Sequence, residues 1–292
     1  MNEFTHIRGN TYCIEQKTNI GLIINDNKVI LIDSGNDKDA GRKLRQLLEK
    51  QNLTIDYIIN THSNADHIGA NAYLINQYNC KAYTYNREVF LTQYPDLEPA
   101  ILYGGFPTKE MKNKFLMAKP SSIENIKQIN NDIEYFEVPG HYLDMIAIKS
   151  NDNVIFLGDC LFSKEIITKY HLFYIYDIKA YLETLDKLIM MNNEKKFIFV
   201  PSHGLISDNI KDVIELNKNK IYEIINLILS LLENKITFDT LLKKVMDYYH
   251  LTLDLNQYLL VGSTIRNYLS YLSNENKINF VIEENKLYYE II

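Results

Sequence analysis

Between Thr61 and Gly69 the chain reads Thr-His-Ser-Asn-Ala-Asp-His-Ile-Gly, which puts two imidazoles, His62 and His67, the carboxamide of Asn64 and the carboxylate of Asp66 within six residues. Such groups converge on a metal when a strand opens into a loop, and an apolar, β-rich run over residues 55–59 stands directly before them. A lone histidine is an ordinary hydrogen-bonded loop residue, but three further clusters change that expectation: Gly140-His141, Gly158-Asp159 and His203-Gly204, each beside a strand candidate. Histidine and carboxylate ligands with room left for water are what a catalytic zinc site uses. A water acidified there toward a pKa of about 7 supplies hydroxide at neutral pH, and the same ion polarises a carbonyl or phosphoryl oxygen.

The elements that must position these groups follow from apolar periodicity and turn residues. Residues 11–15, 21–24 and 29–33 read as a β-meander that ends on Asp33. Residues 39–51 carry Leu44, Leu47 and Leu48 at helical spacing and hand over to the strand before His62, so strand, helix and strand announce an α/β layer. A helix over 71–79 and a strand over 81–85 follow. From 88 to 125, Pro95, Pro99, Gly104-Gly105, Pro107 and Pro120 interrupt any regular pattern, which predicts a functional loop or lid. Strands are expected at 133–138, 145–149, 154–157 and 197–200, with a helix over 177–191. Beyond residue 215 the chain turns helical, at 217–233, 238–249 and 255–273, and closes with two strand-like runs around Glu283-Glu284-Asn285. We therefore expect two domains, 1–215 and 216–292, the second resembling a winged-helix module.

The ordered motifs resemble the metallo-β-lactamase superfamily from about residue 11 to residue 214. Its main motif, His-x-His-x-Asp-His, stands here as His62-x-Asn64-x-Asp66-His67, and Asp33 in Ile-Leu-Ile-Asp-Ser-Gly, His141, Asp159 in Phe-Leu-Gly-Asp and His203 are the remaining marks. The resemblance implies an αββα sandwich with the metals at one edge between two sheets. It places His62, Asn64 and His141 around one ion, Asp66, His67 and His203 around a second, and Asp159 between them. Asp33 would hold a histidine ring rather than bind metal. Zinc is the expected ion, one or two per chain, with iron or manganese as alternatives. Asn64 departs from the pattern: an amide oxygen is a weaker zinc ligand than imidazole, so the Asp66/His67/His203 position should fill first. Asp66 or Asp159 would orient the attacking water or take its proton. His171, in Lys-Tyr-His-Leu-Phe, is a further catalytic candidate; Tyr170 and, in the lid, Tyr103 are candidates for holding substrate. Cys160 reads as a small buried residue. Superfamily members that use a cysteine ligand place it where this chain has Asp159, which argues against antibiotic hydrolysis.

Composition narrows the partners. The 292 residues are 46% hydrophobic, enough for a real core, and carry a net charge of −6, with no global field to attract a polyanion. The carboxy-terminal stretch offers only Arg266 as a cation in its last long helix, so nucleic acid is not the expected partner. Three scattered cysteines fit a reducing compartment. The amino-terminal stretch lacks the basic-then-apolar grammar of an export signal, and no window reaches a membrane span, so the expected location is cytoplasmic. The expected activity is hydrolysis of a small ester, thioester or lactone, the thioester case corresponding to the glyoxalase II branch of the superfamily. A phosphodiesterase or ribonuclease, and a non-catalytic metal or ligand sensor, are the alternatives. A homodimer is expected if the leucines Leu255, Leu259, Leu260, Leu269 and Leu272 pair two subunits; otherwise they form the core of the module.

Overall fold

In β4 (Lys28–Ile32) the side chains alternate: Val29 and Leu31 face one side, Ile30 and Ile32 the other, and all four are buried. A strand buried on both faces requires a layer on each side. A computed structural model of the chain, describing residues 4–129 and 133–292, shows both layers. Residues 1–3, which open the stretch read for an export signal, and residues 130–132 lie outside the described residues.

The first sheet begins with an antiparallel meander, β1 (Thr5–Arg8), β2 (Thr11–Ile14), β3 (Ile20–Asn25) and β4. Helix α1 (Lys38–Lys50), capped by the Asp37 side chain, leads to β5 (Thr54–Ile59), parallel to β4. Short α2 (Ala65–Ile68) and α3 (Asn71–Tyr78) lead to β6 (Lys81–Thr84), and α4 (Glu88–Gln93) and α5 (Leu97–Tyr103) to the edge strand β7 (Glu124–Asn125). The second sheet has the order β11-β10-β9-β8, from β8 (Glu134–Glu137), β9 (Ile146–Lys149), β10 (Val154–Phe162) and β11 (Ile198–His203). Helices α6 (Lys164–Tyr170) and α7 (Ile178–Asn193) connect β10 to its parallel neighbour β11. Then come α8 (Lys211–Leu231), β12 (Ile236–Thr237), α9 (Phe238–Tyr248), α10 (Leu255–Asn274) and the hairpin β13 (Ile278–Glu283) and β14 (Lys286–Ile291).

Ile30, Ile32, Tyr57 and Ile59 pack against Ile146, Ile148 and Phe156 of the second sheet, while Val29, Leu31 and Ile58 meet Leu44, Leu48 and Leu74 of the helices outside. Behind the second sheet, Ile155 and Leu157 pack with Leu185 and Leu188 of α7 and Ile221 and Ile224 of α8. The order of layers is therefore helix, sheet, sheet, helix. Asp56 is the extra residue of a bulge between β4 and β5: Val29 pairs with Ile55 but Ile30 with Tyr57. The bulge keeps Asp56 outside, ion-paired with Lys28 at 2.9 Å, and returns Tyr57 and Ile59 to the inter-sheet core.

Two expectations are corrected. The segment 88–125 contains α4 and α5; Pro99 lies in the first turn of α5, where its missing N–H is not required, and Gly104 closes the helix at φ 77°. β10 does not stop before Gly158-Asp159 but runs buried to Phe162, because its pairing with β11 shifts register at Gly158 instead of ending. The boundary expected at 215/216 falls inside α8, whose Ile214, Ile221 and Ile228 share one core with α7, α9 and α10. Leu259, Leu269 and Leu272 are buried within the chain, and Leu259 packs with Leu102, Met111 and Leu116 of the 88–125 segment. These leucines are core, not a face left open for a second subunit; Leu255 is the exposed one of the set. Among the described residues no helix is long and apolar enough to cross a membrane.

Candidate metal centre

Strand ends and the turns beside them supply the polar side chains. His62 and Asn64 follow β5, Asp66 and His67 lie in α2, His141 precedes β9, Asp159 lies within β10 and His203 ends β11. Two glycines are required for this approach. A Cβ on Gly69 would lie 2.2 Å from the Asn36 carbonyl, and Gly140, at φ 125°, would meet the Tyr181 backbone at 2.3 Å. Asn19 anchors the His203 turn by donating its amide to the carbonyls of Pro201 and Gly204.

Four imidazoles are held by their outer nitrogens. His67 Nδ1 donates to Asp33 Oδ2 at 2.8 Å, His141 Nδ1 to the Tyr174 carbonyl at 2.8 Å, and His203 Nδ1 to the Lys17 carbonyl at 2.7 Å. The Thr61 hydroxyl gives its proton to Asp33 Oδ2 at 2.9 Å, so its oxygen is left to accept from His62 Nδ1 at 3.0 Å. Each Nε2 is thereby left for the centre. Asp159 spans it, with Oδ1 3.2 Å from His67 Nε2, and Oδ2 3.2 Å from His203 Nε2 and 3.7 Å from His141 Nε2. Asp66 Oδ2 lies 3.3 Å from His203 Nε2 and accepts from Thr18 Oγ1 at 2.9 Å.

The electrostatics match a cation site. Burial opposes charge on every member, yet Asp66, Asp159 and Asp33 lift His67 well above the usual imidazole range, and Asp159 lifts His203. In return His203 and His67 hold Asp159 well below the usual carboxylate range. Burial keeps His62 and His141 low, hence neutral. His62 Nε2, His67 Nε2 and Asp159 Oδ1 are buried without a hydrogen-bond partner. Buried polar atoms almost always find one, so three orphans in one place fit a ligand. The ligand atoms of His62, His67 and Asp159, and those of Asp66, His67 and His203, each lie within 4.8 Å of one another, so this donor set fits a divalent metal.

Asn64 lies beside His141 and is engaged by Glu98, which the sequence motifs do not mark. Its Nδ2 donates to Glu98 Oε1 at 2.7 Å, and its Oδ1 lies 3.0 Å from His141 Nε2. Glu98 lies with Leu102 on the buried face of α5, whose Leu97 and Ile101 are exposed. Glu88 was missed too: its buried carboxylate accepts from Ser63 N at 3.0 Å, Ser63 Oγ at 2.6 Å and Asp144 N at 2.9 Å, tying the His62 loop to the turn before β9. Tyr142 and Tyr174 wall the site, the first with its ring centroid 6.0 Å from that of His62, the second 5.7 Å from that of His141.

Other candidates are not brought to the centre. His171 ends α6 at φ 52°, stacks on Tyr249 at 4.6 Å and faces Lys220 Nζ at 3.3 Å, so it braces α6 against α8 and the end of α9. Tyr170 is exposed, with Lys169 Nζ 4.7 Å from its ring centre, and Tyr103 is exposed at the end of α5. Cys160 is buried, donates to the Leu157 carbonyl at 3.0 Å, and burial pushes its thiol far up, which removes it as a nucleophile.

Residues 14–203 match the family model of the metallo-beta-lactamase superfamily, and the chain belongs to that superfamily. It is 24% identical over 196 residues to the Beta-lactamase-like protein 2 homolog of Drosophila melanogaster, covering 65% of this chain and 59% of the relative. It is 27% identical over 195 residues to Hydroxyacylglutathione hydrolase 1 of Vibrio vulnificus, covering 66% and 64%. In both cases the match spans less than two thirds of the relative's length. Among solved structures, a beta-lactamase domain protein from Burkholderia ambifaria superposes with a TM-score of 0.74 at 14% identity, covering 99% of this chain and 93% of that one. A metallo-beta-lactamase family protein from Thermus thermophilus gives 0.68 at 16% identity, covering 94% and 93%. These two likenesses establish the fold.

Proposed function

We propose that the chain is a metal-dependent hydrolase that adds water to a small ester, thioester or lactone. The observation that carries this reading is the convergence of His62 Nε2, His67 Nε2 and Asp159 Oδ1, buried and without a hydrogen bond, where two sheets present their strand ends. His62, Asn64 and His141 would hold one ion and Asp66, His67 and His203 the other, with Asp159 between them. Zinc suits this donor set; iron and manganese are the alternatives. When bound, the metal supplies Lewis acidity at the scissile carbonyl and a nucleophile at neutral pH.

The chain's own residues do the rest. Asp66 is the more exposed of the two central carboxylates, with 36% of its side chain accessible against 7% for Asp159. Its carboxylate would take the proton of the attacking water as the water oxygen bonds to the acyl carbon; the acyl C–O or C–S bond then breaks and the proton leaves with the alcohol or thiol. Asp159 holds His67 and His203 in place from the buried side. Similarity to a hydroxyacylglutathione hydrolase puts acyl thioesters of small thiols first among substrates. The test is a screen of metal-loaded protein on thioesters, esters and lactones. Turnover that chelation removes is expected; inert protein on every acyl class contradicts the reading, and cleavage of RNA in the same assay would favour the nuclease alternative.

A further inference from the structure

We propose that Glu98 is the positioning residue for Asn64: it turns the amide so that Oδ1, rather than Nδ2, faces His141 and the first metal position. This rests on the proposed metal-hydrolase reading and supplies what Asn64 needs to serve in it.

The geometry runs through three side chains. The Tyr174 carbonyl can only accept, so His141 Nδ1 carries the proton, and the neutral ring presents a lone pair at Nε2. Asn64 Oδ1 presents lone pairs to the same spot from 3.0 Å away. Two acceptors facing each other repel unless a cation serves both, and ligand atoms of one tetrahedral zinc stand about 3.4 Å apart. Left to itself the amide gains by rotating half a turn, so that Nδ2 donates to His141 Nε2; that bond would close the position to metal. Glu98 Oε1, accepting from Nδ2 at 2.7 Å, selects the other orientation. Oε1 is the oxygen that faces Nδ2, so a proton on the carboxyl resides on Oε2 and Oε1 still accepts. A donor bond to a carboxyl oxygen also shifts electron density toward Oδ1, which strengthens a weak ligand, as Asp33 does for His67.

The placement of Glu98 argues for function over stability. It is 7% exposed, and its helix is held from behind where Leu102 meets Leu259 of α10. A carboxyl buried against one amide is a poor structural device, because taking the group out of water costs about what a single hydrogen bond returns. The carboxy-terminal helices thus brace the helix that aims the amide.

The experiment is titration of the metal-free full chain with cobalt(II), read by visible absorption, for wild type, Glu98→Leu and Glu98→Gln. Wild type is expected to take two equivalents. Glu98→Leu should keep the tighter one, bind the weaker about 10- to 100-fold less well and lose its spectral step, with unchanged circular dichroism. Glu98→Gln retains an accepting oxygen and should recover most of that loss. If the leucine variant does not fold, Glu98→Met asks the same question. In an Asn64→Ala background, removing Glu98 should cost nothing further; an equal loss there overturns the proposal. So do two equivalents bound by Glu98→Leu at wild-type affinity, or a wild type that takes only one. A wild type that binds no metal overturns the hydrolase reading as well, whereas one that binds two without hydrolysing any acyl substrate overturns that reading alone.

Discussion

Asp33 Oδ2 receives the Nδ1 proton of His67 at 2.8 Å, with both side chains buried. Through the Thr61 hydroxyl the same oxygen also fixes His62, so one carboxylate sets the orientation of two imidazoles. Asp33 itself sits at φ 61°, in the left-handed region where aspartate is tolerated better than most residues. Directly after β4, Asp33 reaches across with its carboxylate to Thr61, beyond the end of β5.

Replacing Asp33 is therefore expected to act on metal affinity from outside the proposed ligand set. Asp33→Ala is expected to weaken zinc binding by about 10- to 100-fold in competition with a chromophoric chelator. It should also lower stability by about 1–3 kcal/mol, because the Thr61 N–H that Asp33 Oδ1 accepts at 2.9 Å is left buried without a partner. Unchanged affinity would assign Asp33 to the fold alone.

Glu88 is expected to make the stability of the chain depend on pH. Burial, opposed by bonds from Ser63 and Asp144, pushes its carboxyl from an ordinary 4.5 up to about 7. Between those values the unfolded chain has lost the proton and the folded chain keeps it, so this contribution falls as pH rises through the window and levels off above it. Glu88→Gln removes the titration: relative to the variant, wild type should lose about 3 kcal/mol between about pH 4.5 and about pH 7.5 in urea unfolding. Parallel pH profiles for the two proteins would contradict this.

Much of this arrangement is legible in the residues themselves. The alternation Val29-Ile30-Leu31-Ile32 requires a layer on each side of β4, and the ordered His and Asp motifs locate the edge where both sheets end. What escapes is physical in origin. The strand expected over 154–157 ends before Gly158-Asp159 because glycine and aspartate are poor strand formers, but here neighbouring β11 carries it onward through a register shift. The prolines of 88–125 hide α5 because Pro99 is harmless in a first turn. Glu98 and Asn64 are 34 residues apart, and no local pattern joins them.

His171 is expected to matter to packing rather than chemistry. Loss of its stack on Tyr249 in His171→Ala should cost about 1 kcal/mol of stability and leave metal content at the wild-type level. A collapse of turnover with metal retained would return His171 to the catalytic set.

Leu259 couples the carboxy-terminal helices to the segment over the site. Leu259→Ala opens a cavity against Leu102, Met111 and Leu116 and should destabilise the chain by about 2–5 kcal/mol. Hydrogen exchange in α5 should rise more than in β4, and uniform exchange across both would contradict the coupling.

The central claim is that metal held between the two sheets is required for hydrolysis. The most direct measurement is elemental analysis of the purified chain, coupled to acyl-thioester turnover before chelation, after it and after zinc is restored. Bound divalent metal is expected, with turnover lost when it is removed and recovered with zinc. A chain that hydrolyses equally well with its metal removed would contradict it, as would one that binds none.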